Sequence, residues 1–274
     1  MFAMSLNPTR IHQLSPGDIA LVGLPYDENS SFLKGPALAP QLIVDAINSD
    51  SANFYTESLI QIADIPHLKW CGETSLSDYW AIEKTIDSIL AKGAIPFSLG
   101  GDHSITYPIV KAMAKKYAQL SILHFDAHGD LYDVLDGNKL SHACPFARIM
   151  ENQYAQQLTQ IGIRTMTQHQ KEQADRFGVT VNTMKDRHQL KGLNLEGPVY
   201  LSFDLDVLDP AYAPGVSHHE PGGYSTREVL DIIQSLELEI VGLDVVEYNP
   251  KRDLNGVTGM VAAKIVKELI EKVL

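Results

Sequence analysis

Short apolar, β-branched runs recur along the chain at residues 19–24, 59–65, 95–99, 120–125, 158–163, 179–184, 199–203 and 240–246. Amphipathic helical patterns lie between most of them, at 78–92, 105–117, 142–151, 168–177 and 226–236, and one at 258–274 closes the chain. Strands that are apolar throughout, rather than alternating, are buried on both faces, and strands that alternate with helices pair in parallel. The pattern predicts an α/β fold: three α/β/α layers around a mostly parallel sheet of about eight strands. No Gly/Ser-rich or charged linker and no internal repeat interrupts it, so residues 1–274 are expected to form one domain.

The chemistry sits where those runs end. Ligands of open α/β sheets bind beyond the carboxyl ends of the strands. Here Gly100-Gly101-Asp102-His103-Ser104, Asp126-Ala127-His128-Gly129-Asp130 and Asp204-Leu205-Asp206 each begin as an apolar run stops. A fourth run delivers Glu247, followed by Tyr248-Asn249-Pro250. If the strands continue, period-2 alternation puts Asp126, His128 and Asp130 on one face, and Asp204 with Asp206. Carboxylates buried at this density repel one another and take up protons unless a cation compensates them. Any one of these residues alone reads as a cap or turn residue. The three segments together read as a site for two divalent ions. Four Asp and two His without Cys form a hard donor set that favours Mn²⁺ over a structural zinc, with Co²⁺, Ni²⁺ or a catalytic zinc pair still open.

Other residues near these motifs receive quieter readings. His124 lies deeper in its strand and is expected to support a ligand rather than be one. Asp102 and Asp244 are expected to hold loops or orient ligands. Asp133 and Asp136 read as solvated loop carboxylates, and Cys144 as a small buried residue. The segment from 206 to 225 carries three Pro and three Gly with His218, His219 and Glu220, which suits an ordered loop walling a pocket.

The balance of 34 acidic against 22 basic residues gives a formal net charge of −12. Two divalent ions would offset four of those charges, and the remaining field would attract a cationic substrate and repel nucleic acid. No apolar h-region follows a basic start, and no apolar run approaches the roughly 20 residues of a membrane span. A cytoplasmic protein without membrane contact is expected, with Cys71 and Cys144 reduced.

The motifs GGDHS at 100–104, DAHGD at 126–130, SFDLDVLDP at 202–210 and EYNP at 247–250 resemble, in the same order, those of the ureohydrolases, the arginase and agmatinase superfamily. NSSFLKGPALAP at 29–40, GNKLSHA at 137–143, FARIME at 146–151, DPAYAPGVSHHEPGG at 209–223 and GMVAAKIVKEL at 259–269 are most similar to plant-type arginases. The resemblance implies two Mn²⁺ per chain. His103, Asp126, Asp130 and Asp204 would hold one, and His128, Asp126, Asp204 and Asp206 the other, with Asp126 and Asp204 as bridges. A hydroxide shared by the ions would attack the guanidinium carbon, Asp130 would accept its hydrogen bond, Glu247 would pair with the guanidinium and His142 would shuttle a proton to the departing amine. L-Arginine is the implied substrate, cleaved to ornithine and urea, and the family suggests a homo-oligomer, a trimer or hexamer.

Agmatine or another small guanidino compound is the alternative substrate. Animal-type arginases read the amino group with an aspartate soon after an Ile-Gly-x-Arg strand, and this chain has Ile161-Gly162-Ile163-Arg164-Thr165-Met166-Thr167 there. Asn138 and Ser141 are the candidates for contacts to an amino-acid head group. Metal-dependent deacylases of the histone-deacetylase type share the fold class and an Asp-x-His pair, but they need one zinc and no second ligand set, so His103, Asp130 and Asp206 argue against them. A non-catalytic metal scaffold would have no use for Glu247 and His142.

Overall fold

The computed structural model describes residue 6 and residues 8–274. Its eight strands are β1 (Ile19–Leu24), β2 (Leu68–Glu73), β3 (Ile95–Gly100), β4 (Ser121–Phe125), β5 (Gln157–Ile163), β6 (Thr180–Thr183), β7 (Pro198–Asp204) and β8 (Glu239–Val246). They form one sheet in the order β2-β1-β3-β8-β7-β4-β5-β6, and every neighbouring pair is parallel. Strand β1 is buried at all six positions, and β4 at all five. That two-sided burial is why these segments read as unbroken apolar runs.

Among the described residues seven α-helices cover the two faces: α1 (Ala39–Ile47), α2 (Ala81–Leu90), α3 (Thr106–Ala114), α4 (Pro145–Glu151), α5 (Gln168–Phe177), α6 (Thr226–Ser235) and α7 (Val257–Glu271). One core gathers Ile43 and Ile47 of α1, Val229 and Ile233 of α6 and Val266 and Leu269 of α7 against Leu21, Phe125 and Phe203 of the sheet. The other sets Ile82 and Ile86 of α2, Ile109 of α3, Phe146 of α4 and Ala174 of α5 against Val22, Ile122 and Tyr200. Three α/β/α layers result, as the alternation predicts. Each fully buried aliphatic side chain of these cores contributes roughly 1.5–3 kcal/mol relative to exposure.

Two elements differ from the expected pattern. The run at 59–65 is not a strand: Leu59 is 79% exposed at φ +64°, and Ile62–Asp64 is a single 3₁₀ turn. The strand is the next segment, Leu68–Glu73, an edge strand that pairs with β1 and is covered by residues 8–9, with the Thr9 amide donating to the Trp70 carbonyl at 2.8 Å. Its half-buried, polar-rich sequence carries no continuous apolar run. Helix α1 gives no helical pattern in the sequence, because prolines stand at its start. Pro40 lies in the first turn, where the missing N–H costs nothing.

Candidate metal centre

The four central strands stand side by side as β3-β8-β7-β4, so their carboxyl ends bring His103, Glu247, Asp204 with Asp206, and Asp126 with His128 to one rim. The rim depends on close backbone approach. A Cβ at Gly101 would lie 1.7 Å from the Tyr26 carbonyl oxygen, so only glycine lets the turn before His103 pass there. Strand β4 ends at Phe125, so the Asp126–Asp130 segment does not continue as the regular strand that alternation assumed. His128 bridges to Thr165, and Asp130 sits at φ +48°. The three side chains converge through this turned path instead.

His103 stands at the centre. Its Nδ1 lies 3.1 Å from Asp126 Oδ2, 3.2 Å from Asp130 Oδ2 and 3.1 Å from Asp204 Oδ2, and the ring is fully buried. That nitrogen has no hydrogen-bond partner of acceptable geometry. On the other side of the ring, Nε2 meets Ser202 Oγ at 2.9 Å, and the Ser202 hydroxyl donates to Asp244 Oδ1 at 2.7 Å. A hydroxyl has one proton. With that proton committed to Asp244, Ser202 must accept Nε2–H, so Nδ1 is the nitrogen that faces the three carboxylates; without a metal they outweigh burial and raise the His103 pKa, putting a proton there, and a metal ion would take that proton's place. Tyr200 OH and Thr106 Oγ1 donate to the other Asp244 oxygen at 2.6 and 2.7 Å and hold that carboxylate in place.

A lone pair ringed by anionic oxygens is repulsive unless a cation sits between them. Ligand atoms about 2.1 Å from an octahedrally coordinated ion stand about 3 Å apart, which matches the observed separations. The hard oxygen-and-imidazole donors fit Mn²⁺. A second group adjoins the first. His128 Nδ1 lies 3.0 Å from Asp206 Oδ2 and 3.3 Å from Asp126 Oδ1, so the two oxygens of Asp126 face two different histidines, the arrangement a bridging carboxylate needs. Asp204 presents Oδ2 to His103, while its Oδ1 accepts the Asp206 amide at 2.8 Å.

Without a cation the cluster shares protons. Burial and the adjacent Asp206 and Asp126 charges push the Asp204 carboxyl well above the usual range, and burial with the Asp126 charge raises Asp206 to about 6. Burial also opposes ionisation of Asp126, but the surrounding His124, His103 and His128 outweigh it and hold that carboxyl well below the usual range. Metal binding would displace these protons. His124 belongs to the support: the Gln160 amide nitrogen donates to its Nδ1 at 3.0 Å, so Nε2 carries the proton and gives it to Asp126 Oδ2 at 2.8 Å.

A cavity of about 200 Å³ opens over this rim, lined by His128, Asp130, Asp204, Asp206, His142, Glu247 and His218 with Ser31, Tyr132, Thr165, Thr167 and Gln170 among the rest. His142 lies in the turn before α4, not in the helix as its pattern suggested, because Pro145 opens that helix. Its Nδ1 donates to Glu247 Oε1 at 2.9 Å, and its Nε2 lies 2.9 Å from Ser31 Oγ. Burial disfavours charge on both partners, yet the pairing outweighs it: His142 is raised to about 9 and Glu247 is lowered. Glu247 occupies φ +64°, and Oε1 also accepts the His103 amide at 2.9 Å.

Asn138 and Ser141 are not among the cavity residues. The Asn138 side-chain Nδ2 donates to Asn29 Oδ1 at 3.1 Å, and the Ser141 side chain is buried. His218 does wall the cavity, beside the His142 and His128 rings, whereas the exposed His219 turns away to the Pro214 carbonyl at 2.7 Å. Burial raises the Cys144 thiol to about 12, as suits a buried, unreactive residue. The cavity hydroxyls and Ser202 escaped the sequence reading, because isolated Ser and Thr in loops and strands carry no spacing signal.

A family model described as the arginase family matches residues 17–271. The chain is 47% identical over 275 residues to "Arginase 1, mitochondrial" of Arabidopsis thaliana, covering 93% of this chain and 80% of that protein. It is 33% identical to the agmatinase of Bacillus anthracis, over 92% and 91% of the two chains. Among solved structures, the arginase from Medicago truncatula superposes with a TM-score of 0.86 at 42% identity, covering 94% of this chain and 87% of that one. These comparisons correct the cytoplasmic expectation, since the arginases of Arabidopsis thaliana and Oryza sativa that the chain resembles are mitochondrial or chloroplastic by name. Organelle import is read from amphipathic, Arg-rich segments, so lack of an apolar h-region bore only on secretion.

Proposed function

Because this chain belongs to the arginase family, a family of hydrolases acting on the guanidino C–N bond, we propose that it cleaves L-arginine to ornithine and urea with two Mn²⁺ ions, as one catalytic domain. His103, Asp126, Asp130 and Asp204 would hold one ion, and His128, Asp126, Asp204 and Asp206 the other. The observation that carries the reading is the buried His103 Nδ1 ringed by three carboxylate oxygens at 3.1–3.2 Å with no well-formed hydrogen bond to any of them. A deacylase of the one-zinc type would use the Asp126/His128 pair and leave His103 and Asp130, whose Nδ1 and Oδ2 stand 3.2 Å apart, without a purpose.

When bound, the metal pair supplies a nucleophile from water at neutral pH and offsets charge developing at the attacked carbon. Asp130, in the cavity wall, accepts a hydrogen bond from the attacking oxygen and fixes its direction. Glu247 uses Oε1 for His103 and His142, so Oε2 is the atom that receives the substrate guanidinium. His142, raised to about 9 by that pairing against the cost of burial, carries a proton at neutral pH and releases it to the departing δ-amine. Ser31, Thr165, Thr167 and Gln170 line the same cavity with neutral donors and acceptors suited to both charges of an amino-acid head. Agmatine has no carboxylate to use them.

Urea release measured side by side with arginine, agmatine and 4-guanidinobutyrate tests the substrate. A kcat/KM for arginine at least about tenfold above the others supports the reading, and preference for agmatine overturns it. Metal analysis after reconstitution with Mn²⁺ should give two ions per chain. A trimer or hexamer is also proposed, supported by the exposed apolar side chains Leu254 and Val257 at the start of α7, and sedimentation analysis tests it.

A further inference from the structure

Arg164, directly after β5, makes five hydrogen bonds through its guanidinium, and every acceptor is a backbone carbonyl. Nη2 donates to Asp206 at 2.6 Å and Leu208 at 3.2 Å, Nη1 to Val207 at 3.2 Å and Gly162 at 3.3 Å, and Nε to Glu220 at 2.8 Å. Its own amide donates to the Ala127 carbonyl at 2.9 Å, the Thr165 amide to the same oxygen at 3.2 Å, and Thr165 bridges to His128. The backbone of this one residue therefore fastens the segment that carries His128. Its side chain fastens the turn that carries Asp206 and the loop that carries Glu220. Gly162 makes the approach possible, because a Cβ there would lie 2.5 Å from Val207 Cγ2 and 2.8 Å from the Asp126 carbonyl oxygen.

Resting on the two-ion reading above, we propose that Arg164 is a positioning residue for the second ion and for the wall of the cavity. It fixes the separation of His128 and Asp206, whose Nδ1 and Oδ2 stand 3.0 Å apart, and ties the 209–223 loop to that pair. The planar fork is what reaches several carbonyls at once, and an ammonium cannot reproduce it. None of the five hydrogen bonds of the Arg164 guanidinium reaches His103 or Asp130, so the effect falls on one ion and spares the other.

The test uses the full chain, freed of metal by a chelator and titrated with Mn²⁺ alone, as wild type, Arg164→Met and Arg164→Lys. The expected result for Arg164→Met is two distinguishable ions of which the weaker loses roughly 10–100-fold in affinity, the size of effect that supports around metal ligands produce, while the tighter changes less than about threefold. Arg164→Lys should fall between wild type and Arg164→Met, and limited proteolysis should cut the 209–223 loop of Arg164→Met faster than that of wild type. Equal loss of both ions in Arg164→Lys, or unchanged affinity for both in a folded Arg164→Met, overturns the proposal. If wild type itself takes one ion, the two-ion reading fails separately. The role toward the second ion then falls with it, and the role in the cavity wall stands if the 209–223 loop is cut faster in Arg164→Met and is overturned if it is cut at the wild-type rate.

Discussion

Removing the Ser202 hydroxyl should weaken metal binding without touching a ligand. In Ser202→Ala the buried His103 Nε2–H loses its acceptor at 2.9 Å, and Asp244 keeps only Tyr200 and Thr106. A buried donor without a partner costs about 1–3 kcal/mol. The metal-free protein can avoid that cost by giving up the Nε2 proton and keeping one on Nδ1, where carboxylate oxygens stand at 3.1–3.2 Å and favour it. The loaded protein cannot, because the ion needs the Nδ1 lone pair. The penalty therefore falls on binding, where about 1.4–2.8 kcal/mol corresponds to a 10–100-fold rise in Kd. Calorimetric titration of metal-free protein with Mn²⁺ measures it, and urea unfolding of the same sample checks the fold. Affinity within twofold of wild type would refute the tautomer argument, and so would an unfolding loss of the same size with unchanged affinity, since Ser202 would then serve the fold alone.

Asp126→Asn should be more damaging to metal content than Asp130→Asn, because the Asp126 oxygens face both His103 and His128; metal analysis that finds two ions still bound to Asp126→Asn contradicts the bridge. His142→Ala should lower turnover by roughly 10²–10⁴-fold while the same sample keeps its Mn²⁺ and its fold, as expected for a proton-transfer group outside the ligand set. Asp209 bears on pH. Burial opposes its ionisation, but the amides of Ala211, Gly222 and Gly223, at 2.9, 2.6 and 3.1 Å, outweigh that and lower its pKa. A carboxyl depressed on folding contributes stability that is present above its unfolded value, about 3.9, and lost as pH falls through the folded value. Wild type should therefore exceed Asp209→Asn in unfolding stability at pH 7, and the gap should narrow in acid; a gap that is constant with pH excludes the mechanism.

The sequence by itself carried the layered α/β fold and all six candidate metal ligands. Both are local signals: two-sided burial makes a strand apolar along its whole length, and each candidate ligand lies at or within a few residues of a strand end. Hence Asp126, His128, Asp204 and Asp206 were legible even though the segment after β4 turns instead of running straight. Strand β2 and helix α1 were not legible, the first because an edge strand exposes polar side chains and the second because its first turn contains proline. The tertiary structure alone decided which atoms face one another. Ser202 and His103 are 99 residues apart, and Ser31 and His142 are 111 apart. No periodicity couples positions so distant. The Ser202–His103 contact exists because the strand order sets β3, β8 and β7 side by side, and the imidazole nitrogen that faces the carboxylates follows from a hydrogen bond that only this adjacency creates.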